Sequence, residues 1–347
     1  MVNNRDLGLD GVARFLLFAD YGDRPWVYWR PGWALLFWLV HGVAGTVAWP
    51  YYLVCIALHA AQSGAIAAIG SRASGCCLTG ASAGVLFAVM PSHAGAVAWI
   101  AAAFNVVPAA LCVLIAGWCC WRFANEGRAR HGVAVVALTA LSLTFKEAAY
   151  AMPLVAAAAI SLVPTAVRWR QRVARIWLVG ALAILVMAHH LALGRRDPVA
   201  DGLALEAFAL ALAHHAAAYA RSVLPILPND DVAALGLTAA LGVVVFVWGS
   251  PRVRFLAALT LAATLPYVVM SHSERFFYFC HAPAVLCATL FARELAQRCV
   301  RSPHVAHAAW LAVAALGLVR LPAALACAIC VPAGRHVVTL QPAPGAR

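Results

Sequence analysis

Residues 104–121 read FNVVPAALCVLIAGWCCW, eighteen consecutive positions without a charged side chain. A helix over that run would be about 27 Å long, close to the hydrocarbon thickness of a bilayer. Apolar runs of the same kind cover approximately 33–48, 50–70, 78–90, 132–146, 148–164, 175–193, 232–248, 255–270, 278–294 and 304–320. The stretch 321–333 is also apolar, but it is short and carries prolines near its ends. The sequence as a whole is 64% hydrophobic and 11% charged, with a mean hydropathy of +0.85. Soluble domains carry about 25% charged residues, so this chain lacks the polar groups to cover a water-facing surface. The expectation is an all-α polytopic membrane protein with about 9–11 transmembrane helices. Its predicted organisation is an outer loop over 1–32, a multi-span domain over 33–333 and a tail over 334–347. Residues 1–30 have no apolar core behind a basic start and do not read as a signal peptide. The segment 203–221 differs from the rest, because it is helical in composition yet carries Glu206, His214, His215 and Arg221. His214 and Arg221 lie seven apart and share a helix face, which predicts a helix lying at the membrane interface.

The formal net charge is +12. A basic chain of this size raises the question of nucleic acid, but the charge is distributed as a membrane topology would distribute it. If the spans alternate, Arg72, Arg122, Arg128, Arg130, Arg168, Arg170, Arg172, Arg175, Arg252, Arg254, Arg293, Arg298 and Arg301 fall on one face, 13 of the 25 basic residues. The positive-inside rule makes that face cytoplasmic, with attraction to anionic lipid and no nucleic-acid partner. Eleven cysteines are present, most inside apolar runs, where cysteine acts as a small hydrophobe. The pairs Cys76–Cys77 and Cys119–Cys120 have no further ligands at metal-site spacing, so no metal site is expected.

Of the 13 acidic residues, only Glu126 and Glu294 fall on the arginine-rich face. The opposite face collects the unusual groups. Lys146, the only lysine in the chain, stands beside Glu147 between two apolar runs. His93 follows Pro91 at the end of a run, and Glu274–Arg275 lie in the polar-aromatic stretch SHSERFFYF (271–279). Any one of these reads equally well as an interfacial anchor, since long cationic and aromatic side chains sit at headgroup level. Ionisable groups at membrane depth are costly and usually functional, so their gathering on one face points to a site there.

Five stretches resemble, in order, the polytopic lipid-dependent glycosyltransferases of the GT-C superfamily, in its protein O-mannosyltransferase-like branch. They are YWRPGWALLF (28–37), YYLVCIALHA (51–60), PSHAGAVAWIAAAFNVV (91–107), LSLTFKEAAYAMPLV (141–155) and ERFFYFCHAPAV (274–285). The resemblance implies a GT-C-like helical fold. It implies a sugar carried on a polyprenyl or dolichyl phosphate and attacked at its anomeric carbon by an acceptor hydroxyl, with inversion, on the non-cytoplasmic face. Such a reaction needs a carboxylate to take the hydroxyl proton and cations to hold the phosphate leaving group. By this resemblance Lys146 and Arg275 hold the phosphate, while Glu147 and Glu274 orient them. Tyr278 packs on sugar or lipid, His93 hydrogen-bonds donor or acceptor, and Arg30 and His59 occupy further substrate-binding positions. The family's base lies in an acidic pair of the first outer loop. Asp6, Asp10, Asp20 and Asp23 are the acids this chain has in that region, and none matches the base position. Cys55, Met90, Gly95, Ala103 and Asn105 stand where the family has polar or differently charged residues. The expectation is that the family's first span and its acids are encoded upstream of Met1. The implied partners are membrane lipid, the lipid-linked sugar and a protein or glycan acceptor. No covalently bound cofactor is expected, and a divalent-metal requirement is left open. The alanine- and arginine-rich composition fits a bacterial inner membrane. Two other readings stand beside this one: an inactive or accessory membrane protein derived from the family, and a transporter or flippase. The latter predicts two related halves with helices broken at mid-membrane, and the sequence shows no such internal symmetry.

Overall fold

In a computed structural model, residues 30–162, 173–192, 205–223, 227–270 and 274–299 are described, and every regular element among them is helical. Pro31 opens α1 (Pro31–Ala44), where its fixed φ and missing N–H suit the first turn. Gly45, at φ +55°, closes it and turns the chain into α2 (Ala48–Ser74). Then follow α3 (Cys77–Ala88), a 3-10 turn Pro91–His93, α4 (Ala94–Val97), α5 (Ile100–Glu126) and α6 (Ala129–Leu143). A second 3-10 turn, Glu147–Ala151, leads into α7 (Met152–Ser161). The remaining helices are α8 (Trp177–Ala192), α9 (Leu205–Val223), α10 (Asp231–Trp248), α11 (Pro251–Met270) and α12 (Glu274–Cys299).

Four of these helices, α2, α5, α10 and α12, are long and apolar enough to cross a membrane. A fifth span forms if α3 and the Pro91–Val97 segment, bent by 56° against each other, are taken together. Fewer single helices therefore reach span length than the apolar runs imply. The run 33–48 becomes a 14-residue helix ending at Gly45, and 132–146 becomes a 15-residue helix ending before Lys146. The first helix stops at the positive-φ Gly45, and the second stops at a turn that leads into the buried Lys146 and Glu147. The runs 304–320 and 321–333, the tail 334–347 and the loop before Arg30 lie outside the described residues. The amphipathic segment expected at 203–221 is helical over Leu205–Val223. His214 and Arg221 do share a face, since both reach the Asp231 carboxylate, at 2.8 and 2.7 Å.

Burial ranks the long helices. The apolar window of α5 is 72% buried and that of α12 67%, against 28% for α2 and 6% for α10. Thus α5 and α12 form the centre, while α10 lies at the edge with Val232, Val243 and Val247 exposed. On α5, Phe104 packs against Tyr51, Trp121 against Phe255 and Gly117 against Leu259, and the five side chains are all buried. The hairpin of α2 and α3 is held by glycines. A Cβ on Gly80 would stand 2.2 Å from the Ala67 carbonyl oxygen, and one on Gly84 would stand 2.8 Å from that of Ser63. Small residues let helix backbones approach this closely where lipid gives no hydrophobic drive to association.

One end of the molecule is capped by arginines. Arg252 donates to the Ala73 carbonyl (2.6 Å) and Arg293 to that of Ser74 (2.8 Å), at the C-terminus of α2. Arg175 donates to the Ala124 carbonyl near the end of α5, and Arg254 and Arg298 cap α10 at Val247 and Trp248. Cations here satisfy the last helical carbonyls and oppose the negative end of the helix dipole. Glu126 takes Arg122, Arg128 and His131 at the same end.

The glycine contact makes a sharp prediction. Gly80→Ala forces backbone apart and should cost about 2 kcal/mol by overpacking. Gly64, on the same α2, has open space around its Cβ direction. Gly64→Ala should leave the melting temperature in detergent unchanged while Gly80→Ala lowers it by several degrees, and equal melting of the two variants would dissolve the argument.

Candidate functional site

Two breaks in helical structure build the site. Pro91 lacks an N–H and holds Met90 extended (φ −68°, ψ 119°), so the chain stops after α3 and restarts at an angle. Lys146 is likewise extended (φ −164°, ψ 154°) between α6 and the 3-10 turn that begins with Glu147. The start of α1 docks on this second break. The Gly32 N–H donates to the Thr144 carbonyl at 2.9 Å, and a Cβ on Gly32 would meet Thr144 Oγ1 at 2.4 Å. That docking brings Arg30 to Glu147 across 117 residues of sequence, with Nη2 2.9 Å from Oε2 and 3.3 Å from Oε1.

The N-terminal turns of α12 close the cluster. Lys146 Nζ lies 4.5 Å from the centroid of the Phe276 ring. The Arg275 guanidinium lies 4.9 Å from the same ring and 4.9 Å from Trp99. Phe276 therefore stands between two cations, an arrangement its ring quadrupole favours. Lys146 is only 6% exposed, and among the described residues no carboxylate oxygen lies within 4.0 Å of its ammonium. Nor does the buried Nε of Arg275 meet an acceptor among them. Lys146 sits in the connector outside the helices. Burial, with Arg30 and Arg275 adding repulsion and Glu147 partly opposing it, brings its pKa down to about 7. The site holds more cations than carboxylates, and its described carboxylate is already engaged by Arg30.

One to two turns deeper along α12 lies a second, neutral network. His59 Nε2 contacts the Ala88 carbonyl (3.0 Å) and so carries the hydrogen, leaving Nδ1 to accept from Tyr278 (2.8 Å). Ser222 donates its one hydroxyl hydrogen to the Tyr219 carbonyl (2.7 Å), so it must accept from His281 Nε2 (3.0 Å). His281 Nδ1 is then an acceptor, and His93 Nε2 (3.1 Å) and Ser92 (3.3 Å) donate to it. The run from His93 through His281 and Ser222 to Tyr219 thus has a single direction, fixed by the one carbonyl at its end. Phe87 packs against His59, His93 and Tyr278, at ring-centroid distances of 5.6, 4.3 and 5.1 Å.

The structure brings Arg30, Lys146, Glu147 and Arg275 into one cluster and His59, His93 and Tyr278 into its neighbour. Tyr278 is fully buried, with its hydroxyl on His59 and its ring against Phe87 and His93, so in this structure it faces protein and not an open surface. Glu274 is the first residue of α12, but its side chain lies outside the described residues, as do Asp6, Asp10, Asp20 and Asp23. Sequence reading missed Phe276, Trp99, His281, Ser92 and Ser222. His281 had a signal, since it follows Tyr278 by three residues in an otherwise apolar helix. Ser222 had none, because its role depends on how α9 packs. No three His, Cys, Asp or Glu side chains among the described residues are grouped to hold a metal ion. In comparisons with known proteins, no family model, no curated protein and no solved structure matches this chain.

The Arg30–Glu147 pair should behave as a coupled unit. Glu147→Gln removes the carboxylate that Arg30 engages and should cost about 3 kcal/mol, the usual penalty for breaking one side of a desolvated pair. Removing both charges, in Arg30→Gln with Glu147→Gln, should recover much of that loss. Unfolding curves of the two single variants and the double variant would refute the coupling if the effects simply add.

Proposed function

We propose that this protein is a membrane glycosyltransferase that moves a sugar from a polyprenyl-phosphate donor to an acceptor hydroxyl on the non-cytoplasmic face, at the end away from the arginine caps. The observation that supports it most is the Lys146–Phe276–Arg275 arrangement, two cations within reach of one aromatic ring and, among the described residues, without a carboxylate within 4.0 Å. A phosphate is the partner such a pair lacks. As the bond from the anomeric carbon to the phosphate oxygen breaks, negative charge grows on the leaving group, and fixed cations in a desolvated site lower the energy of that step. Arg275 offers a planar fork with its buried Nε–H still to be satisfied, and Lys146 offers a point charge. Glu147 acts on this reading as the group that fixes Arg30 and tempers the repulsion among the cations, not as the base. The reading needs a carboxylate base, and Asp6, Asp10, Asp20 and Asp23 are the candidates that residues 1–29 offer, although none matches the base position of the family the chain resembles. The five stretches resembling the protein O-mannosyltransferase-like branch support the same reading, since each cluster residue named here falls in or beside one. A bacterial inner membrane is the location this reading implies.

Lys146→Ala and Arg275→Ala should each abolish transfer from a polyprenyl-phosphate sugar in membranes containing the full chain. If wild-type membranes transfer no sugar from any such donor, the reading fails. The Lys146 ammonium is charged below about pH 7 and neutral above it, so donor binding should weaken as pH rises from about 6 to about 8. Lys146→Arg, which stays protonated throughout, should flatten that profile. An unchanged pH dependence in this variant would remove Lys146 from phosphate binding.

A further inference from the structure

At the arginine-capped end, between the ends of α2, α5, α11 and α12, lies a cavity of about 430 Å³. On α12 it is 18 residues from Arg275 to Arg293, about 27 Å along the helix, so this cavity is separate from the Lys146 cluster. Arg252 and Arg293 line it. Each uses part of its guanidinium to cap α2, Arg252 through one bond to the Ala73 carbonyl and Arg293 through Nη1 to that of Ser74, with the same Nη1 also on the Thr79 hydroxyl of α3. The other N–H groups of both arginines have no hydrogen-bond partner among the described residues. Neither arginine has a carboxylate within 4.0 Å among those residues, whereas Arg122 and Arg128 at the same end share Glu126. Glu294 also lines the cavity, but both its oxygens are taken by Ser250, at 2.6 Å from the hydroxyl and 2.9 Å from the backbone N–H. Asn125 and Gln297 add polar groups, and Trp121 and Leu290 supply an apolar wall. Val247 and Trp248, just ahead of Ser250, are exposed apolar side chains.

We infer that this cavity binds a phosphate-ester anion, and that its occupant is the headgroup of an anionic glycerophospholipid. Two guanidiniums with unused donors form the fork that phosphate oxygens match. The apolar wall and the exposed Val247 and Trp248 suit the glycerol and upper acyl portions. Basic pockets between helices on the cytoplasmic side are where membrane charge delivers such lipids. The inference uses no residue of the proposed transferase site and stands without it.

Native mass spectrometry of the full-length protein in neutral detergent tests it, with phosphatidylglycerol, phosphatidylcholine and glycerol 3-phosphate offered separately and no sugar donor present. Phosphatidylglycerol should be retained well above phosphatidylcholine. Arg252→Gln with Arg293→Gln should weaken that retention about thirtyfold, the effect of two surface cations. Because these arginines also cap α2, Gln297→Glu is the second variant. It places a negative charge at the exposed rim without removing a cap, and should weaken phosphatidylglycerol alone. Retention of glycerol 3-phosphate as strong as that of phosphatidylglycerol would support the phosphate site and assign it a soluble ligand. Equal retention of phosphatidylglycerol and phosphatidylcholine, or a Gln297→Glu protein that holds phosphatidylglycerol like the wild type, would overturn the inference.

Discussion

Helix α12 is buried along most of its length and yet is not an apolar helix. That is the constraint on which the rest of the structure depends. Its sequence places Arg275, Tyr278, His281, Thr289, Arg293 and Glu294 on a segment whose apolar window is 67% buried. A polar group withdrawn from water without a partner costs about 1–3 kcal/mol, and an unpaired charge costs more. The neighbours of α12 are therefore set by what its side chains need. Tyr278 needs His59 on α2, and His281 needs both the Pro91–His93 turn and Ser222 on α9. Glu294 needs Ser250 at the head of α11, and Arg293 finds the last carbonyls of α2. Each demand fixes one surrounding element, and together they explain why α2, α9 and α11 gather around α12.

The ends of the molecule differ for the same reason. At one end arginines meet helix C-termini, where backbone carbonyls accept their hydrogen bonds and no acid is required. At the other end the helices stop at breaks, after Ala88 and after Leu143, and among the described residues cations approach aromatic rings and one engaged glutamate. A positive charge over a ring face is held more weakly than one on a carboxylate.

Much of the architecture was legible in the sequence because it rests on local patterns. The apolar runs marked the helices to within a few residues, and the seven-residue spacing of His214 and Arg221 anticipated their common face, though not the Asp231 carboxylate both reach. Lys146, Glu147, Arg275 and His93 stood out by their rarity in an apolar chain, and the structure gathers the first three with Arg30. Three things were not legible. Helix length was overread at 33–48 and 132–146, because hydropathy cannot register a turn made by Gly45 or by an extended Lys146. The pairing of Arg30 with Glu147 depends on α1 docking 117 residues away, which no local pattern encodes. The serines that complete the histidine network have no compositional signal, since a serine in a membrane helix ordinarily bonds to its own backbone.

The directed run from His93 to Tyr219 has a consequence of its own. Every link has one hydrogen to give, so the run has two senses, while His93 Nδ1 is buried and meets no partner among the described residues. A rotation of the Ser222 hydroxyl from the Tyr219 carbonyl toward His281 would make His281 Nε2 an acceptor. That turns His281 Nδ1 into a donor, and His93 must then exchange its hydrogen from Nε2 to Nδ1. One rotor on α9 thus determines the tautomers of two imidazoles on different elements. The row of bond dipoles reverses as a block, with no net charge entering the interior. The two senses are not equal, because the reversed one places the His93 hydrogen on Nδ1, which is buried and meets no acceptor among the described residues, so the sense seen here is the stable one.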